Sequence, residues 1–220
     1  MSARADLLAL LLVSGLELPL IAGVFAAFEE PPRRGTSAIL PPWPALVATI
    51  AASIAAALVG LQGGARLVTK AVLAVPYLCA LVSLGTSTAR LARRAGVRPP
   101  AAAVTAALLL AAFDGALVFV GPALSLVSDA PSYLPVLLLL SPMTALAGSL
   151  LEIDLLRAAP LYSALPFATE SPFAYPPFPE ALGMLVLLAI AAAIAAAAPR
   201  PIAIRETPSA RDASIRAELQ

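Results

Sequence analysis

Histidine is absent from the 220 residues. That removes the commonest metal ligand, the commonest general base and the usual haem ligand together. Cysteine occurs once, at Cys79 inside an apolar run, so there is no disulfide framework and no metal-ligand spacing, and the thiol reads as a small buried apolar residue. Lysine also occurs once, at Lys70, and the remaining cations are arginines. Charged residues make up 12% of the chain, against about a quarter in soluble domains. No phosphate-cradling glycine loop, nucleotide fingerprint or closely spaced carboxylate pair is present, and without histidine a serine nucleophile would need a lysine or carboxylate partner that no local signature supplies. An enzyme, a bound cofactor and a metal centre are therefore not expected. With a net charge of +1, nucleic acid is not an expected partner either.

What is abundant is hydrocarbon. Hydrophobic residues reach 60% and mean hydropathy is +0.93, which places the chain in a lipid bilayer as an all-α, polytopic helical bundle. Six hydrophobic segments can be marked: Asp6 to Phe28, Trp43 to Leu61, Leu67 to Ser87, Ala101 to Val120, Tyr133 to Leu151 and Glu180 to Ala198. Together they form a transmembrane domain over 1–199, followed by a short tail over 200–220 with four arginines against three acids in 200–218. No small-residue cleavage site closes a short apolar core after Arg4 and Asp6, so a cleaved signal peptide is not expected. Glu17 and Pro19 interrupt the first segment, and Trp43 stands where an interfacial anchor would. The fifth segment is cut by Pro135 and by Ser141-Pro142, and reads either as a broken or re-entrant helix pair or as a kinked full crossing. Gly60 and Gly64 have close-packing spacing, but so do many small-residue pairs in an alanine-rich chain.

Orientation follows from the stretch Thr88 to Arg98, which carries Arg90, Arg93, Arg94 and Arg98 between two apolar segments. The positive-inside bias puts it in the cytoplasm. If Tyr133 to Leu151 does not cross, Glu152 to Pro179 is external, the tail is cytoplasmic, Glu29 to Gly35 is cytoplasmic and the N-terminus is external. Ala, Leu, Arg and Pro dominate, as in GC-rich bacterial genes, so a bacterial cytoplasmic (inner) membrane is the expected location. Three ionisable groups fall inside or at the edge of spans: Glu17, Asp114 and Lys70. Glu17 and Asp114 read either as polar sites of a translocation path or as a helix cap and a hydrogen-bonded carboxyl; Lys70 reads as snorkelling to the interface.

From Lys70 onward the order of features resembles the membrane (permease) subunit of type-2 ABC transporters. The shared layout is a helix ending in Leu84-Gly85-Thr86-Ser87, an arginine-bearing turn, and a span over Ala101 to Val120 closing in Gly121-Pro122. Leu139-Leu140-Ser141-Pro142-Met143-Thr144-Ala145-Leu146, a proline-rich outer segment and a final apolar helix ending at Arg200 follow. The resemblance covers about the last 150 residues and implies a pair of short helices dipping in from outside before the last span. It further implies a separate ATP-binding cassette subunit as partner, and a homodimer or a paralogous permease beside the chain. Candidate contacts with that ATPase are the charged connections, Glu29, Glu30, Arg33, Arg34, Arg90, Arg93, Arg94 and Arg98. The first third departs from the family pattern, because the prolines around Glu29-Glu30 and Leu40-Pro41 oppose a coupling helix there. A non-transporting scaffold or assembly subunit of a larger membrane complex is the alternative function.

Overall fold

The structure, a computed structural model, describes residues 3–29, 40–115, 130–154 and 174–198, and among these it is all-helical, with no strand. Four helices are long and apolar enough to cross a membrane: α1 (Ala3–Phe28), α2 (Trp43–Gln62), α3 (Ala65–Arg94) and, last in the chain, α7 (Phe178–Ala197). Between α3 and α7 lie the shorter α4 (Pro99–Asp114), α5 (Ala130–Leu140) and α6 (Pro142–Thr144), the last running on as a π-helical turn over Ala145–Leu150. The bent pair Ser132–Leu139 and Pro142–Leu150, angled by 84°, is a broken span or a re-entrant loop, and counts as a fifth apolar unit if taken as one span. Of the expected fourth segment, Ala101 to Gly115 is described, and 116–120 lie outside the described residues. The sixteen residues of α4 rise about 24 Å, short of the roughly 30 Å hydrocarbon core.

α3 is the hub of the bundle and packs against α1, α2, α4 and α7. Its tightest approach is to α1. A Cβ on Gly85 would fall on the carbonyl oxygen of Pro19, and one on Gly23 would meet the Gly85 carbonyl at 3.3 Å. Nearer the arginine-bearing end, Ala26, Ala27, Ala89, Ala102, Ala103 and Ala106 form a small-residue cluster that joins α1, α3 and α4. Close backbone approach is how helices associate in lipid, where tails are as apolar as leucine and packing must supply the attraction. A larger core runs along α1, α3, the bent pair and α7, with Leu11, Tyr77, Leu81, Leu146 and Leu185 among its buried members. Tyr77 and Phe178 meet there at a ring-centroid distance of 5.7 Å.

Several local expectations are corrected. α1 does not break at Glu17 and Pro19 but continues through both to Phe28. Its α3 contact at Pro19 holds the helix where proline removes one ladder bond. α3 does not end at Ser87: it runs to Arg94, so Arg90, Arg93 and Arg94 stand on its last turns and only Ala95 to Arg98 form the connection. Alanine, leucine and arginine are good helix formers, cations favour a helix C-terminus, and Gly96, at φ +87°, supplies the turn that stops it. Gly60 and Gly64 do not form a two-glycine face. Gly60 lets α2 approach the Val68 backbone, with a Cβ there 3.1 Å from its Cα, whereas Gly64 is the hairpin turn at φ +87°. Cys79 is exposed on the outer surface of α3 rather than buried.

The break at Ser141-Pro142 has a side-chain remedy. Pro142 has no amide to donate to Leu138, and the single proton of the Thr144 Oγ1 hydroxyl is shared between the Ser141 carbonyl at 2.9 Å and that Leu138 carbonyl at 3.1 Å. Thr144 is 2% exposed, so the bond is made where water cannot substitute for it.

Candidate functional site

The termini of the long helices gather into two polar clusters at opposite ends of the bundle. At one end Arg90 donates from Nη2 to Glu29 Oε2 at 2.8 Å, tying α3 to the end of α1. There Arg94 Nη1 donates to the Ala195 carbonyl at 2.7 Å, which brings the C-terminus of α7 to the same end. Arg93 Nη1 donates to the Val97 carbonyl at 3.2 Å and helps close the turn into α4, whose N-cap is the exposed Arg98. Glu30, Arg33 and Arg34 lie outside the described residues. Of the partner-contact candidates that are described, three are therefore also used to join helices of the chain itself.

At the other end, Lys70 Nζ sits 2.9 Å from Glu152 Oε1, and Arg4 Nη2 lies 3.9 Å from Glu152 Oε2. The Arg4 guanidinium donates from Nε to the Leu151 carbonyl at 3.0 Å and from Nη2 to the Leu151 and Glu152 carbonyls. It thus caps the C-terminus of the π-helical turn, where a cation is favoured. Glu152 itself has φ 58°, in the region glycine normally occupies after a helix, and Ile153 N–H donates back to Ala147 O at 2.8 Å. A carboxylate held in that conformation, at a cost of about 1–2 kcal/mol, places its charge on Lys70. Tyr175 completes the end: its ring occupies the space a Cβ on Gly148 would need, and its hydroxyl donates to Asp154 Oδ1 at 2.7 Å. The bent pair is in this way fastened to the starts of α1 and α3.

Lys70 holds the Glu152 carboxyl below the usual carboxylate range, first by its hydrogen bond and then by its charge, with Arg4 and Arg66 adding to the effect. Since the folded-state value is the lowered one, the contribution to stability is present above the ordinary glutamate range and fades as pH falls through it. Glu152→Gln is expected to flatten the acid limb of the melting curve in micelles between about pH 7 and about pH 3, by only about 1–2 °C because the Glu152 side of the pair is exposed. Equal acid sensitivity in both proteins would refute the assignment.

The three intramembrane candidates are not brought together. Lys70 is half-buried near the start of α3, and its described partner is Glu152. Asp114 is the last residue of α4, half-buried and within electrostatic reach of Tyr77. Glu17 is exposed on the outer face of α1. Among the described residues no group of three His, Cys, Asp or Glu side chains could hold a metal ion. An open groove of about 260 Å³ runs between α2 and α3, with Thr49 and Ser53 as its polar members. Both hydroxyls donate to their own helix, to Ala45 O and Thr49 O at 2.7 Å, so the groove wall is apolar in effect. Arg4 and Glu152, missed in sequence, are paired across 148 positions, and only the opposite signs of charge at two expected external sites hinted at it. No family model, curated protein or solved structure matches the chain.

Proposed function

We propose that this multi-pass membrane protein is the permease-like subunit of an ABC-type exporter in a bacterial cytoplasmic membrane, driven by a separate ATPase. The observation that carries this reading is the bent pair before the last span. It ends at the Arg4–Lys70–Glu152 end, opposite the arginines, and α7 then runs back to Arg94. A short helix pair dipping in from the outer side before a final outward-to-inward span is the arrangement the resemblance entails. With the arginine-bearing end in the cytoplasm, Arg90 to Arg98 is the surface available to the ATPase, and the translocation path lies between two permease copies rather than within one.

A membrane scaffold is the second reading. It is favoured by the interior, where the buried polar side chains among the described residues are all hydroxyls: Ser14, Thr49, Thr86, Ser87, Ser141 and Thr144. Co-purification separates the two. Arg93→Gln with Arg94→Gln keeps hydrogen-bond donors for the Val97 and Ala195 carbonyls while removing both charges. Recovery of a nucleotide-hydrolysing subunit from detergent extracts is expected to drop about tenfold, the size of one desolvated charge contact. Unchanged recovery, or no such subunit with the unaltered protein, favours the scaffold.

A further inference from the structure

The hydroxyls of Thr49, Ser53, Thr86 and Thr105, on α2, α3 and α4, each donate to the carbonyl four residues back in their own helix. Ser149 does not. Its Oγ, in the π-helical turn, is buried and has no hydrogen-bond partner among the described residues. The physical reason is the winding of the turn. Its backbone bonds run to the fifth residue, as from Leu151 N–H to Leu146 O at 3.1 Å, so the Ala145 carbonyl is out of line for the Ser149 hydroxyl. An ordinary α turn would supply that acceptor. The wider register is thus disfavoured from within, and at its end Glu152 also stands at φ 58°. What holds it comes from elsewhere in the chain. Arg4 donates to the Leu151 and Glu152 carbonyls, Lys70 pairs with the Glu152 carboxylate, and the Tyr175 ring fills the notch over Gly148.

We infer that Ala145–Leu150 is a two-register switch, held in its π form by Arg4 and Lys70 and passing to an α form when the Lys70–Glu152 pair is lost. Tightening the turn from π to α winding rotates whatever follows by about 100°, the angle of one helical residue. The Ser149 hydroxyl then donates to Ala145 O, Glu152 swings away from Lys70, and Gly148 moves out from under the Tyr175 ring. The bent pair is released from the starts of α1 and α3 while its own backbone stays hydrogen-bonded. The Glu152 side chain is 73% exposed, so salt weakens the pair, and ionic strength at this end of the bundle sets the balance between the two forms. The switch does not depend on the transport reading and holds for a scaffold as well.

The test uses the full chain in lipid nanodiscs with fluorotyrosine in place of tyrosine, the Tyr175 fluorine resonance being the one absent from Tyr175→Phe. Two resolved Tyr175 signals are expected, the second of them minor in the unaltered protein. Lys70→Gln is expected to raise the second signal about threefold, the reach of one exposed ion pair. Ser149→Ala in that background is expected to lower it about fivefold, because the α form loses its extra hydrogen bond and the π form loses its orphan hydroxyl. Amide hydrogen exchange over 145–153 is expected to stay within about twofold throughout, since an α turn protects its amides as a π turn does. A single Tyr175 signal in every variant, a second signal that grows together with faster exchange, or indifference to Ser149→Ala would each overturn the proposal. Salt gives the same answer without any substitution. Raising it from about 20 mM to about 500 mM should increase the second signal in the unaltered chain and leave it unchanged in Lys70→Gln, and no response in the unaltered chain would also overturn the switch.

Discussion

Gly85→Val should cost the bundle about 3 kcal/mol, the upper end of what overpacking does, and lower the yield of monodisperse protein from detergent. Even a single methyl group at this position would occupy the place of the Pro19 carbonyl oxygen, and the Pro19 carbonyl carbon and Cα stand just behind it. Backbone cannot rotate away as a side chain can, so the only relief is to push α1 off α3. That displacement would reach further. The alanine cluster that joins α1, α3 and α4 lies on the same pair of helices, and the Glu29–Arg90 pair closes its end. Gly183→Val is the matched control, because a Cβ on Gly183 meets nothing within 4 Å. Thermal unfolding in micelles, followed by helical circular dichroism, should separate the two by several degrees at least; similar midpoints would show that α1 and α3 are not closely packed there.

A second large effect concerns sidedness and is all or none. In the Cys79→Ser background, Gln62→Cys places a thiol at the α2–α3 hairpin beside the Lys70–Glu152 end, and Ala95→Cys places one in the arginine-bearing turn. Both positions are exposed. A membrane-impermeant maleimide should label the Gln62→Cys variant in intact cells, and the Ala95→Cys variant only after permeabilisation. The converse pattern would invert the protein in its membrane and remove the surface on which an ATPase is proposed to dock.

Two sequence expectations about the path of the chain differ in how they fared, for a physical reason. The second segment begins at Trp43 as expected, with Pro42 and Pro44 flanking that start, because proline fixes φ and lacks only an amide that a helix start leaves unpaired. Pro19 was expected to interrupt α1 and does not, since proline inside a membrane helix stops it only when no neighbour supports the weakened turn. The same chemistry at Ser141-Pro142 does bend the chain, by 84°, and the Thr144 hydroxyl only partly covers the freed Leu138 carbonyl because it also donates to Ser141 O. Of the candidate polar residues, sequence located all three within or at the edge of apolar segments but paired none. Lys70 meets Glu152, 82 positions away, and no local pattern encodes a contact at that separation.

By itself the sequence determined that this chain lives in lipid as helices, because apolar runs of this length with so little charge have no other stable setting, and every buried backbone group must be satisfied within its own segment. It also determined which end of the bundle collects the arginines. Which face of each helix turns inward was left to the tertiary structure. In a soluble helix the polar face gives the answer, but here both faces are hydrocarbon, and Cys79 and Tyr77, two positions apart on α3, end on the outside and in the core respectively. Close backbone fits such as Gly85 on Pro19 make that choice, and they exist only once two helices have met.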